Sequence, residues 1–240
     1  MEKVREVQTK KGKPIFTLMG APLVALSVLF ISLSFSILIE LVGMTWFWPE
    51  EGSSHSKTML LKEINYLNDG AKRSIYSTTP MDMAEGAVLV VHDALNLIGL
   101  KYVIEILEQP PVDGEIDFIS NLRVLFQGLR EYIYATLTVI ELFFVRVVVT
   151  ILSMPIFILY GLGAFVDGLV ERDRRKFGGG YETAWVYHKV KRGLMPVLIG
   201  SILIYLSMPV SIHPNYVFTP CAVLFGIFLF VYATTFKKYI

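Results

Sequence analysis

From Ile15 to Ile39 the chain carries no Asp, Glu, Lys or Arg, and the same holds for Val147–Val166 and for Gly193–Phe236. A helix needs roughly 20 apolar residues to cross about 30 Å of hydrocarbon. The first two runs each supply one such helix. The third is too long for one and is punctuated by Pro209, Pro214 and Pro220, so it divides into helices over 194–212 and 217–236. Inside lipid a backbone must satisfy its own hydrogen bonds, which leaves helices as the economical solution for runs of this length. Apolar residues make up 54% of the 240 positions, well above the share of a soluble domain. The expectation is an all-α integral membrane protein with four transmembrane helices and a helical outer segment between the first and second.

The expected organisation follows in chain order. A tail over 1–14 leads into the first span over 15–40 and then an outer helical segment over 41–131. A long helix over 132–166 ends in the second span, and a basic hairpin occupies 167–193. Spans over 194–212 and 217–236 are joined by a short turn at 213–216, and 237–240 forms the closing tail. Lys10, Lys11 and Lys13 ahead of the first run resemble the start of a signal peptide. The run exceeds a typical h-region, however, and "LVGMTWFWPEE" after it offers no small-residue cleavage site, so it reads as an anchor.

Charge distribution sets the expected orientation. The first tail holds Lys3, Arg5, Lys10, Lys11 and Lys13; the hairpin holds Arg172, Arg174, Arg175, Lys176, Lys189, Lys191 and Arg192; Lys237 and Lys238 close the chain. All fall on one side of a four-span topology, whereas acidic residues outnumber basic ones in Trp46–Glu131. Short basic loops stay cytoplasmic, so both termini are expected in the cytoplasm of a bacterium, the chain in the inner membrane and the outer segment in the periplasm. Cys221 is the single cysteine, and the outer segment therefore has no disulfide to staple it.

Within the outer segment, Trp46, Phe47 and Trp48 read as an interfacial aromatic belt and "PEEGSSHS" as a linker. Helical spacing follows over Met59–Tyr76, with Leu60, Leu61, Ile64 and Leu67, and over Met81–Leu107, with Val88, Val91, Leu95, Ile98, Tyr102 and Ile106. A third series, Ile119, Leu122, Phe126, Leu129, Ile133, Leu137, Ile140 and Phe144, runs without a breaker into the second span. It predicts one long helix whose outer half stands above the bilayer against a neighbour. Glu40 and Arg146 lie at matching outer ends of spans one and two. Each can snorkel to the headgroups on its own, or the two can form a structural ion pair that fixes one span against the other.

No catalytic constellation emerges. The triple glycine 178–180 is preceded by lysine and followed by Tyr181-Glu182, behind a membrane helix, which is the wrong context for a phosphate loop. His55, His92, His188 and His213 have no ligand spacing with one another or with Cys221. Ser27, Ser32, Ser34 and Ser36 lack an intramembrane base, and together with Gly161, Ala164 and Gly168 they suit close helix approach. The expectation is a protein that is not an enzyme, with no cofactor and no metal.

The stretch "RDRRKFGGGYETAWVYHKVKR" over 172–192 is the exception to this plain picture. Lipid anchoring by basic and aromatic residues explains its charge and its rings, at roughly 1 kcal/mol per basic residue near an anionic surface. It does not explain the order of Arg172, Asp173, Arg175, Phe177, Gly178, Gly180 and Glu182. An acid inside a basic loop suggests internal pairing and a docking surface, with glycines as the hinge and Tyr181, Trp185 and His188 along one helix face. In Arg172, Asp173, Arg175, Phe177, Gly178, Gly180, Glu182, Tyr187, His188 and Lys191 the chain resembles a family of integrating-conjugative-element and plasmid membrane proteins encoded beside the coupling ATPase of type IV DNA-transfer systems.

That resemblance implies a role in conjugation at the inner membrane, as a non-enzymatic component of a type IV secretion machine associating with the coupling ATPase. It offers no catalytic residue to carry over. The partner surface it suggests comprises Arg172, Asp173, Arg175, Phe177, Gly178, Gly180, Glu182, Trp185, Tyr187 and His188. Anionic lipid and other membrane subunits, in a possible oligomer, are further expected partners, and direct nucleic-acid contact is not expected. The alternative is a small transporter or channel subunit, which should place polar groups or broken helices at mid-membrane.

Overall fold

A computed structural model describes residues 14–71, 80–109, 117–178 and 184–235. Every regular element among them is helical. Helix α1 (Pro14–Trp46) is apolar almost throughout and carries Pro22 inside it. It ends where Trp48 folds back, its amide and that of Phe47 both donating to the Gly43 carbonyl. A Cβ on Gly43 would lie 1.9 Å from the Trp48 indole, so the turn requires glycine there. Gly52 then bends the chain with φ 51°, and α2 (Ser54–Ala71) starts directly. The linker is thus shorter than "PEEGSSHS", because its final serines already belong to the helix.

Helix α2 buries Ser56, Met59, Glu63 and Leu67. Leu61 is exposed, so the buried face is rotated from the expected Leu60-Leu61-Ile64-Leu67 series. Residues 72–76 of that expected helix lie outside the described residues. The stretch 81–107 is two helices rather than one: α3 (Pro80–Leu97) and α4 (Leu100–Glu108) meet at a 70° bend. Gly99 makes the corner with φ 74°, a conformation that costs a glycine little and that helical periodicity does not reveal.

Helix α5 (Asp117–Gly178) is a single helix of 62 residues. At 1.5 Å per residue it is about 93 Å long, some three times a hydrocarbon core, so much of it stands outside any bilayer. Helices α2, α3 and α4 pack along its first half; α1, α6 (Ala184–Ser207) and α7 (Pro214–Thr234) pack lower down. The α5–α7 contact is the most extensive. There a Cβ on Gly168 would sit 2.7 Å from the Phe230 carbonyl oxygen and from the Ala233 Cβ. Gly161 faces Phe225, and Ala164 faces Gly226, in the close approach that small residues permit.

The core joins both halves. Leu67 and Ala84 from the outer helices belong to one buried cluster with Phe143, Val145, Val149 and Phe157 of α5, Tyr205 and Leu206 of α6, and Phe218 and Ala222 of α7. Phe218 stands edge-on to Phe157 at 6.2 Å and tilted against Tyr205 at 4.8 Å. Among the described residues, four helical stretches are long and apolar enough to cross a membrane: Pro22–Trp46, Ser120–Arg175, Lys189–Ser207 and Pro214–Thr234. The bent α3–α4 pair would add a fifth if taken as one broken span.

Candidate functional site: a buried polar knot and a basic helix end

Among the described residues, Arg146 is the largest side chain wholly enclosed. A guanidinium taken out of water must find both counter-charge and acceptors for its fork of donors. Its Nε donates to Glu63 Oε1 at 3.1 Å, one terminal nitrogen donates to the Met208 carbonyl, and the other donates to the Val210 carbonyl at 3.1 Å. The second Glu63 oxygen accepts from the Tyr205 hydroxyl at 2.9 Å, while the Tyr205 ring centroid lies 5.7 Å from the guanidinium carbon. Four pieces of chain are thereby tied at one point: α2 through Glu63, α5 through Arg146, α6 through Tyr205 and the α6–α7 connection through its carbonyls. A network this fully paired specifies position and holds it.

Neither independent snorkelling nor a direct Glu40–Arg146 pair describes what forms, since both side chains are buried and each meets a residue of α2. Glu40, also buried, is 3.2 Å from His55 Nδ1 at the start of α2. His55 in turn stacks on Trp48 at 4.1 Å. Arg146 takes Glu63 instead, because α2 folds down beside α5 and delivers a carboxylate directly to the guanidinium. Helix-to-helix fixing by ionic contact is real here, but α2 mediates it at both residues. A third tie lies further out, where the Glu131 carboxylate of α5 accepts from the Ser53 hydroxyl at 2.6 Å and from its amide at 3.4 Å.

Glu63 and Tyr205 were not singled out from sequence, and His55 and Trp48 were read there only as a histidine without ligand spacing and as part of an interfacial belt. For Glu63 a signal existed: with Ser56, Met59 and Leu67 it falls at helical spacing on one face, and a carboxylate on a burying face requires a partner. Tyr205 has no comparable signature within an apolar span.

In the last turns of α5 the charges are exposed or half-exposed and pair with near neighbours. Residues 172–178 are not a loop but the last turns of the helix. Arg172 contacts Asp173 at 3.2 Å, and Arg174 and Arg175 each reach Glu171 at 3.3 Å. Phe177 is 93% exposed, and Gly178 is the last described residue of α5. Gly180, Glu182 and Tyr181 lie outside the described residues; Trp185 and His188 belong to α6, though only their backbone is described. Tyr187 turns inward and stacks on Tyr232 of α7 at 5.2 Å, with Lys191 Nζ 5.9 Å from its ring. The structure therefore gathers Arg172, Asp173, Arg175 and Phe177 on one helix end and sends Tyr187 to a packing role.

Residues 47–237 match a family model described as DtrJ-like, an IncC plasmid conjugative DNA transfer protein. The matched stretch holds the Glu63–Arg146–Tyr205 knot and the whole of 172–192, and leaves all of α1 outside. No curated protein and no solved structure matches the chain.

Proposed function

The chain belongs to the DtrJ-like family of IncC plasmid conjugative DNA transfer proteins, and from that premise we propose that it is a non-enzymatic inner-membrane component of the transfer machine. Its part in conjugative DNA transfer follows from the family; its molecular role is our reading. In this reading four spans leave both termini on one side, the short basic segments make that side the cytoplasm, and 41–131 is a periplasmic helical assembly. The knot at Arg146 then lies at the outer membrane boundary, and the basic end of α5 at the cytoplasmic one. The partner at that cytoplasmic end is the coupling ATPase, with anionic lipid contributing a less specific attraction.

The observation that carries this reading is the form of α5. One helix runs from the outer assembly through an apolar stretch and ends in a basic turn presenting Phe177 to the surroundings. An exposed aromatic beside arginines is the composition of an interface hot spot. Two experiments test the reading. Reporter fusions after Lys13, Gly179 and Lys238 should report cytoplasm and fusions near Asp113 periplasm; an outward-facing Gly179 would overturn the orientation. Purification in mild detergent from donor cells should retain the coupling ATPase, and a preparation consistently free of it would overturn the partner assignment.

A further inference from the structure

We propose that the outer half of α5 is a self-association seam, at which a second copy of this chain packs in parallel. Phe118, Leu122, Leu125 and Leu129 recur at steps of four, three and four, the spacing of a heptad seam. All four are exposed, Phe118 by 71% and Leu125 by 60%. The stripe ends at Tyr132, which is half-buried. Phe126, inside the same stretch, is buried, so the helix already has one packed face and the seam is a separate one.

Lipid is a poor occupant, because Arg123, Gln127, Arg130 and Glu131 share these turns. At 1.5 Å per residue Phe118 also stands about 40 Å along the helix from Arg146. The choice of a like copy over a foreign chain rests on charge and on register. Positions flanking the seam hold Asn121 and Gly128 on one side and Phe126 and Ile133 on the other, none of them charged. Between Phe118 and Tyr132 the charges are engaged elsewhere within the chain: Arg123 donates to the Ile106 carbonyl at 3.1 Å, Arg130 lies 3.6 Å from Glu108, and Glu131 holds Ser53. Flanking charges are what specify a foreign partner in such a seam; a neutral, self-complementary stripe meets its own copy without like-charge repulsion.

Register comes from the membrane. Copies inserted in one bilayer share orientation and height, and α5 is continuous from its apolar stretch to the seam, so Leu122 and Leu125 of one copy face those of the next. Two heptads are too short to associate as free peptides. Here the helix is already folded by its packing below, which removes the ordering cost, and confinement to a bilayer raises the effective concentration. The inference rests on the membrane reading above, and failure of that reading would appear in the reporter fusions rather than in the experiment that follows.

Full-length protein with Cys221→Ser, expressed in membranes, should receive single cysteines by Leu122→Cys, Leu125→Cys or Gln127→Cys, then mild oxidation. The seam predicts covalent dimers of twice the chain mass at 122 and 125 and at most a tenth of that yield at 127, which is exposed but off the stripe. With Phe118→Cys as reporter, Leu122→Glu together with Leu125→Glu should abolish the dimer while membrane insertion persists. Adducts of another mass at 125, equal yields at 127, absence of dimer at the seam positions, or dimer surviving the paired glutamates would each overturn the proposal.

Discussion

The two charged sites of α5, one at its middle and one at its last turns, solve opposite problems. Around Arg146 the guanidinium, the Glu63 carboxylate and the Tyr205 hydroxyl are enclosed and satisfy one another across four pieces of chain. Around Arg175 the arginines pair with acids one to four residues away on the same helix, in contact with the surroundings. Breaking a buried pair leaves an uncompensated charge, whereas an exposed pair contributes little because water and salt replace it. Conserving the fold is the work of the first arrangement. The ion pairs of the second lie within one helix, so breaking them should cost the fold little.

That contrast is open to test by substitution. Arg146→Met should strand Glu63 and cost about 3–5 kcal/mol, the range for removing one partner of a buried pair. Thermal unfolding in detergent would register this as a large drop in Tm. Replacing both, Glu63→Leu with Arg146→Met, should recover much of the loss; no recovery would mean that the carbonyl contacts to Met208 and Val210 matter more than the pair.

A smaller effect is expected at the α5–α7 crossing. Gly168→Val forces a Cβ against the Phe230 carbonyl and should cost ~1–3 kcal/mol as an overpacking change. Gly163, whose added Cβ meets nothing within 4 Å, is the control, and Gly163→Val should leave Tm nearly unchanged. At the Ser53–Glu131 tie, Ser53→Ala should cost about 1 kcal/mol, a typical net hydrogen bond, since Glu131 itself is exposed to water. Least of all for stability, Arg175→Ala should cost only ~0.3–0.5 kcal/mol, the worth of an exposed pair on a helix surface.

Much of this architecture could be read before the structure. Charge-free runs mark the apolar helices, because a residue type that hydrocarbon excludes is absent from them. The continuity of α5 followed from a stripe with no breaker between Ile119 and Phe144. What periodicity hid were events of single residues. Gly99 divides α3 from α4 through a positive φ, and Gly43 admits the Trp48 indole; neither changes the apolar pattern. The partner of Arg146 was misjudged for a related reason. Matching the ends of spans one and two suggested Glu40, but the register of α2 beside α5 is a tertiary fact, and it brings Glu63 to the guanidinium and His55 to Glu40. At the basic end, sequence drew attention to Phe177 and the arginines around it, while the inward turn of Tyr187 onto Tyr232 depends on how α6 meets α7.

We propose that the basic end of α5 is recognised by shape and not only by charge. Lipid attraction sums over charges and is nearly indifferent to their order, whereas docking of Phe177 depends on a particular surface. The direct measurement is the DNA-transfer frequency of donors carrying Phe177→Ala, read beside the amount of membrane-inserted protein and the amount of coupling ATPase captured with it. An aromatic hot spot worth ~2 kcal/mol predicts capture weakened about 30-fold and transfer sharply reduced, with protein level unchanged. Transfer and capture at the unsubstituted level, with loss appearing only when Arg172, Arg174, Arg175 and Lys176 are neutralised together, would contradict the account and make this end a lipid anchor.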